Sequence, residues 1–179
     1  MEKLQESHPV EIVWHAFELR PRNGPPISPA YRAQIEAGRP RVYQIAQEQY
    51  GLTMNPGPFG IDSRPALIGV KYAESQGCGA AFHRAVLHAY WQEAAVIDDL
   101  DVLTEIAAQV GLEREAFRAA LADPTFEEQV DADIALAQAY GLNGVPALVF
   151  DNKYLIPGAL PYEALRQAVD QIHSQEEAT

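Results

Sequence analysis

Gly144-Val145-Pro146-Ala147-Leu148-Val149-Phe150 places a proline at the head of an apolar strand, just after a glycine, Gly141, that ends a helix. Proline has no backbone N–H, so it belongs at the first residue or edge of a strand, or in a tight turn where its peptide bond can be cis. Downstream, Asp151-Asn152 reads as a two-residue hairpin turn and Lys153 to Ile156 as the returning strand. Pro157-Gly158 breaks that strand before an amphipathic helix running from about Pro161 to His173. The unit is strand, hairpin, strand, helix.

Upstream, Val10 to Leu19 reads as another strand. Val10, Ile12, Trp14 and Ala16 lie on one face, Val13, Phe17 and Leu19 on the other. Apolar residues on both faces predict a sheet covered on both sides. Pro21 to Pro29 is a proline-rich connector out of the sheet. The pattern then turns helical. Ser28-Pro29 caps a helix to about Ala37, and Gly38-Arg39-Pro40 separates it from a second helix that stops at Gly51. After a rigid loop at Asn55–Gly60, Asp62 opens a helix ending before Gly77, and another runs from Gly79 to about Ala94. Asp98 or Asp99 opens a helix closed by Gly111, Glu113 to Leu121 forms a short one, and Asp123-Pro124 begins the helix that Gly141 ends.

With 179 residues and 47% hydrophobic content, the chain can bury a substantial core. Twenty-five acidic residues against thirteen basic ones give a formal net charge of −12, which repels phosphate backbones and anionic membranes. Nucleic acid is therefore not an expected partner. No apolar run approaches the roughly 20 residues of a membrane span, and Met1 leads into a charged segment, so a cytoplasmic location and no membrane partner are expected. The single cysteine, Cys78, excludes an intramolecular disulfide and any cysteine-based zinc site.

Val13-Trp14-His15-Ala16-Phe17-Glu18-Leu19-Arg20-Pro21, Asp62-Ser63-Arg64-Pro65-Ala66-Leu67, Ala89-Tyr90-Trp91-Gln92-Glu93, Ile97-Asp98, Asn143 to Phe150 and Lys153-Tyr154-Leu155 stand in this order along the chain. Together they resemble the DsbA-like thioredoxin family, in particular its FrnE-type oxidoreductase branch. The resemblance runs from about Val10 to Ile172. It implies an α/β, thioredoxin-like (DsbA-like) sheet with a large helical insertion, lacking the first strand. The chain then divides into residues 1–22 (remnant of the first helix and one strand), 23–123 (helical insertion) and 124–179 (C-terminal half of the thioredoxin-like domain). It also implies that Pro146 is cis and faces the redox site, with Val145 free to pair with an extended peptide or a thiol ligand.

The departures are equally informative. Relatives open with a strand running into Cys-x-x-Cys, a segment that should precede Val10; here only Met1-Glu2-Lys3-Leu4-Gln5-Glu6 stands there. In the family sheet that strand is central. Its loss leaves two rows of unpaired backbone groups, each costing about 1–3 kcal/mol if buried. The expectation is that the native gene product is longer by one strand and half a helix, with Met1 a misassigned or internal start. Without the dithiol no catalytic residue is assigned. The resemblance implies protein thiols or disulfides as partners and no resident cofactor. The alternatives are a glutathione-dependent isomerase or transferase of the same fold, in which glutathione pairs with Val145, and a redox-inactive peptide-binding or chaperone module. A homodimer would cover the exposed sheet.

Val145 and Pro146 are thus the candidate substrate-binding residues. Cys78, between two glycines near a helix start, is a weaker candidate thiol, since a helix N-terminus stabilises a thiolate; its bland reading, a small junction residue, is preferred. His83 and His88, five apart, point to different helix faces and do not share a metal; both read as surface histidines. His15 reads as a satisfied core histidine. Asp98, Asp99 and Asp101 lack the glycine and distal glutamate of a calcium loop and read as helix caps, while Asp131 and Asp133 read as solvated. Trp14, Phe17, Phe82, Tyr90 and Trp91 are expected in the core. Arg64 and Trp91 belong to the resemblance without a mechanism of their own.

Overall fold

The computed structural model describes residues 1–21 and 24–177. In chain order the elements are α1 (Glu2–Ser7), α2 (Pro29–Tyr50), α3 (Arg64–Ser75), α4 (Gly79–Gln92), α5 (Leu100–Gln109), α6 (Arg114–Leu121), α7 (Pro124–Ala139), β1 (Ala147–Phe150), β2 (Tyr154–Pro157) and α8 (Tyr162–Glu177). Short acidic caps start the middle helices. Asp99 accepts from Asp101 N–H at 2.8 Å, Glu113 from Ala116 N–H at 2.7 Å and Asp123 from Thr125 N–H at 2.9 Å. Each such cap satisfies first-turn N–H groups that have no partner within the helix.

The core is helical. α3 packs on α4, α5, α6 and α7, and the centre of this contact holds Phe82, Leu103 and Phe117, all fully buried. Phe82 and Phe117 meet with ring centroids 5.3 Å apart, and Tyr72 bridges edge-on from Phe117 to Phe126 of α7. Gly69 permits this approach: a Cβ there would lie 2.9 Å from Phe117 and 3.0 Å from Phe82.

Three elements differ from the sequence expectation. Residues 10–19 join no ladder among the described residues and bend at Leu19; β1 and β2 form a two-stranded antiparallel sheet. A strand satisfies its backbone only through a neighbour, and among the described residues no strand pairs with this segment. Its two faces are not both covered either: Ala16 is buried, but Val13 is 66% and Trp14 47% exposed.

The second difference is α2, continuous through Gly38 and Pro40. No residue of α2 is buried, so the carbonyl of Glu36, which Pro40 leaves without its usual donor, stays open to water.

The third is the hairpin, whose returning strand begins at Tyr154 instead of Lys153. Phe150 pairs with Tyr154, and Lys153 N–H donates to Phe150 C=O at 2.9 Å. Asp151 and Asn152 both take positive φ, as a tight primed turn requires. Lys153 is the extra residue between turn and ladder. Beyond β2, α8 packs on α1, where Leu4 is buried. Tyr162 O–H donates to Ser7 Oγ at 2.9 Å, and His8 pairs with Asp170 at 3.2 Å.

Candidate functional site

Gly141, at φ +68°, ends α7 and lets the chain swing toward β1. The Val145–Pro146 peptide is cis. Gly158 N–H donates to the Pro146 carbonyl at 2.8 Å, anchoring the proline to the far end of β2. Val145 itself is 56% exposed, and its backbone makes no hydrogen bond with any described residue. A donor and an acceptor thus stand open to solvent immediately ahead of a strand whose backbone direction is fixed by the hairpin. Chemically this is an edge that an extended ligand backbone can pair with.

Cys78 occupies a different setting. It precedes α4, its N–H bonds to Ala73 C=O at 2.9 Å and its carbonyl accepts from Phe82 N–H at 3.0 Å. Its side chain is half-buried against the helical core. A cleft of about 390 Å³ lies alongside, lined by Ile12, Val13, Trp14, His15, Lys71, Glu74, Gly77, Gly79 and Ala80. A second, of about 510 Å³, opens between α4 and α5 beside Arg84, His88 and Glu93. Neither cleft is lined by Cys78, Val145 or Pro146.

The polar groups that fix residues 10–19 were not legible in the spacing. Asp133 is buried rather than solvated. It accepts from Lys71 at 2.8 Å, from Ala16 N–H at 2.7 Å and pairs with His15 Nδ1 at 2.6 Å. Burial pushes this carboxyl up, but the Lys71 ammonium, the Ala16 N–H and His15 outweigh it and hold it below its ordinary value. Burial acts downward on Lys71, and Asp133 with Glu74 reverses that and raises it. Asp131 is likewise engaged, by Arg64. Arg64 also reaches Glu18 at 2.9 Å and Glu127 at 3.0 Å, so one guanidinium ties residues 10–19 to α3 and α7. This gives Arg64 the role that its recurrence in the resemblance left unstated. Seven-residue spacing of Arg64 and Lys71 along an otherwise apolar α3 face was the available signal.

His15 is not a core residue; its side chain is 48% exposed. Of the expected core aromatics Phe82 is buried, Phe17 and Tyr90 are half-buried, and Trp14 and Trp91 are exposed. Trp14 covers His83 at 5.1 Å between ring centroids, so His83 is half-buried rather than a surface histidine. Burial holds His83 below its ordinary value against the pull of Glu74. His88, on another face of α4, meets Glu93 at 3.4 Å. Asp99 caps α5, Asp98 accepts from Asp62 N–H at 3.4 Å, and Asp101 pairs with Arg118. Among the described residues no helix is long and apolar enough to cross a membrane.

Comparison with known proteins gives this geometry its context. A curated relative, the uncharacterized protein YwbO of Bacillus subtilis, is 29% identical over 168 residues, covering 89% of this chain and 81% of its own. The crystal structure of a probable DsbA oxidoreductase from Streptomyces coelicolor superposes with a TM-score of 0.68 at 29% identity, over 78% of this chain and 61% of that one. A 2-hydroxychromene-2-carboxylate isomerase shares the fold at a TM-score of 0.79 and 22% identity, over 99% of this chain and 88% of that one. Residues 1–170 match the DSBA-like thioredoxin domain, and the chain belongs to that family.

Proposed function

We propose that this chain serves thiol–disulfide chemistry of the FrnE-type, DsbA-like kind by holding an extended thiol-bearing substrate along Val145 and Pro146, and that as a 179-residue chain it does not turn over disulfides itself. The open backbone of Val145 ahead of an anchored strand carries the reading. Disulfide exchange by a dithiol protein needs two thiols. One thiolate attacks a substrate disulfide and expels one substrate thiolate, and the second attacks the first cysteine's sulfur, expels the remaining substrate thiolate and leaves the two protein cysteines joined as a disulfide. Cys78 is the one cysteine of the sequence, so the chain supplies no second thiol to resolve a mixed disulfide that Cys78 enters. Protein thiols and disulfides are the partners this reading names, in a cytoplasmic setting.

Insulin reduction with the 179-residue protein is the direct test, run beside amide NMR during titration with a reduced cysteine-containing peptide. The expected result is no reduction above background, unchanged by Cys78→Ser, with the Val145 amide shifting as peptide saturates. Turnover that disappears in Cys78→Ser would overturn the first part, and a Val145 amide that ignores the peptide would overturn the second.

A second reading is favoured by the isomerase, whose fold covers 99% of this chain. There the ligand on Val145 is glutathione, bound as a cofactor. Glutathione that shifts the Val145 amide while the peptide does not would select this reading over the first.

A further inference from the structure

We propose that Arg20, Arg32 and Arg39 form a binding site for a small oxyanion carrying two or more negative charges, separate from the Val145 edge. The three guanidinium groups surround one ring. Their central carbons lie 4.7, 5.1 and 5.5 Å from the Phe59 centroid, and Arg20 is also 5.7 Å from that of Tyr31. Arg32 and Arg39, two turns apart on α2, share a helix face, while Arg20 directly follows residues 10–19.

None of the three has a carboxylate partner among the described residues. Arg41, on the opposite side of α2, meets the Gln44 amide at 3.5 Å, and four other arginines differ. Arg64, Arg114, Arg118 and Arg166 each bind a carboxylate, in a chain where acidic residues outnumber basic ones almost two to one. Glu36 lies between Arg32 and Arg39 on the same helix and pairs with neither.

Three like charges around one ring repel each other, and the negative face of Phe59 offsets only part of that repulsion. An anion seated among them removes the repulsion and accepts paired N–H bonds from planar forks that match phosphate and carboxylate geometry. The Phe59 loop is also tied to α4. The Tyr90 hydroxyl donates to Pro58 C=O at 3.2 Å, which holds its ring beside the Phe59 loop, and Arg39 and Arg20 are the cations that act on it. The overall charge of −12 repels anions at long range, so retention here depends on the local fork geometry.

Calorimetric titration of the 179-residue protein with inorganic phosphate and, separately, with citrate at constant ionic strength tests the site. Saturable binding of at least one is expected; phosphate alone would assign a phosphate ester, citrate alone a polycarboxylate. Arg39→Gln should weaken binding about tenfold or more. Arg41→Gln, which removes the same charge from the opposite side of α2, should leave it unchanged. Glutamine is a good helix former, so both variants keep the exposed helix. Absence of saturable binding for both anions, or equal weakening by Arg41→Gln, would overturn the proposal.

Discussion

The helices around α3 and the hairpin at β1–β2 belong to one chain and one family fold, yet they close in different ways. α3 is enclosed by α4, α5, α6 and α7, and Phe82, Leu103 and Phe117 at its centre have no exposed surface worth the name. Every strand residue of β1 keeps partial exposure, and Leu155 of β2 is 47% exposed. A helix satisfies its own backbone and needs a neighbour only for one apolar face. A strand needs a neighbour for the backbone itself. The helical region is therefore complete with the residues it has. The hairpin leaves an open edge, at the place where Val145 presents an unpaired donor and acceptor.

Phe117→Ala is the strongest way to challenge that contrast. Its ring fills the junction of α3, α4 and α6, and its loss should cost about 3–5 kcal/mol by urea unfolding. A cost below 1 kcal/mol would mean that the helical region is not the stable half.

The Asp133 cluster comes next, with about 2–3 kcal/mol expected for Asp133→Asn, since buried Lys71 then loses its 2.8 Å partner and keeps Glu74 at 3.2 Å as its counter-charge. It also carries a pH signature. Because the folded-state pKa of Asp133 is depressed, its contribution is present in full above the unfolded carboxyl value near 4 and is lost as pH falls through the folded value. The stability difference between wild type and Asp133→Asn should therefore shrink in acid. A difference that stays constant from neutral pH down to about pH 2 would place the cost outside the ionised carboxylate.

How much of this was legible in the sequence follows the same division. Caps such as Asp99, Glu113 and Asp123 act within three residues, so the starts of α5, α6 and α7 could be read directly. Val145 and Pro146, too, stood out from the strand that follows them. Residues 10–19 could not be read in the same way. Their alternation was real, but whether it becomes a ladder depends on a partner strand remote in sequence. The groups that hold this segment instead, Arg64, Lys71 and Asp133, lie 46 to 118 residues away. Asp131 and Asp133 diverge along α7, and each meets its own cation on α3, a pairing that follows from how α3 lies on α7 and from nothing local.

Gly69→Ala sharpens the helical side with a smaller effect. The added methyl would fall within about 3 Å of two core rings, so unfolding should be easier by about 1–3 kcal/mol, despite the better helix propensity of alanine. A stabilised variant would show that the rings can give way, and that α3 is less tightly enclosed than its contacts with Phe82 and Phe117 imply.

The smallest expected effect probes the hairpin. Leu155 pairs with Val149 across the ladder but leaves nearly half its surface in water, so Leu155→Thr removes little burial and keeps a residue suited to strands. A change within about 0.5 kcal/mol is expected, with no change in sedimentation. A cost of 1–2 kcal/mol would contradict a solvated hairpin and require a covering surface. If the same variant also reduced a concentration-dependent sedimentation coefficient, that surface would be a second copy of the chain. The open edge would then be a dimer contact, and Val145 would have to compete with it for any extended ligand.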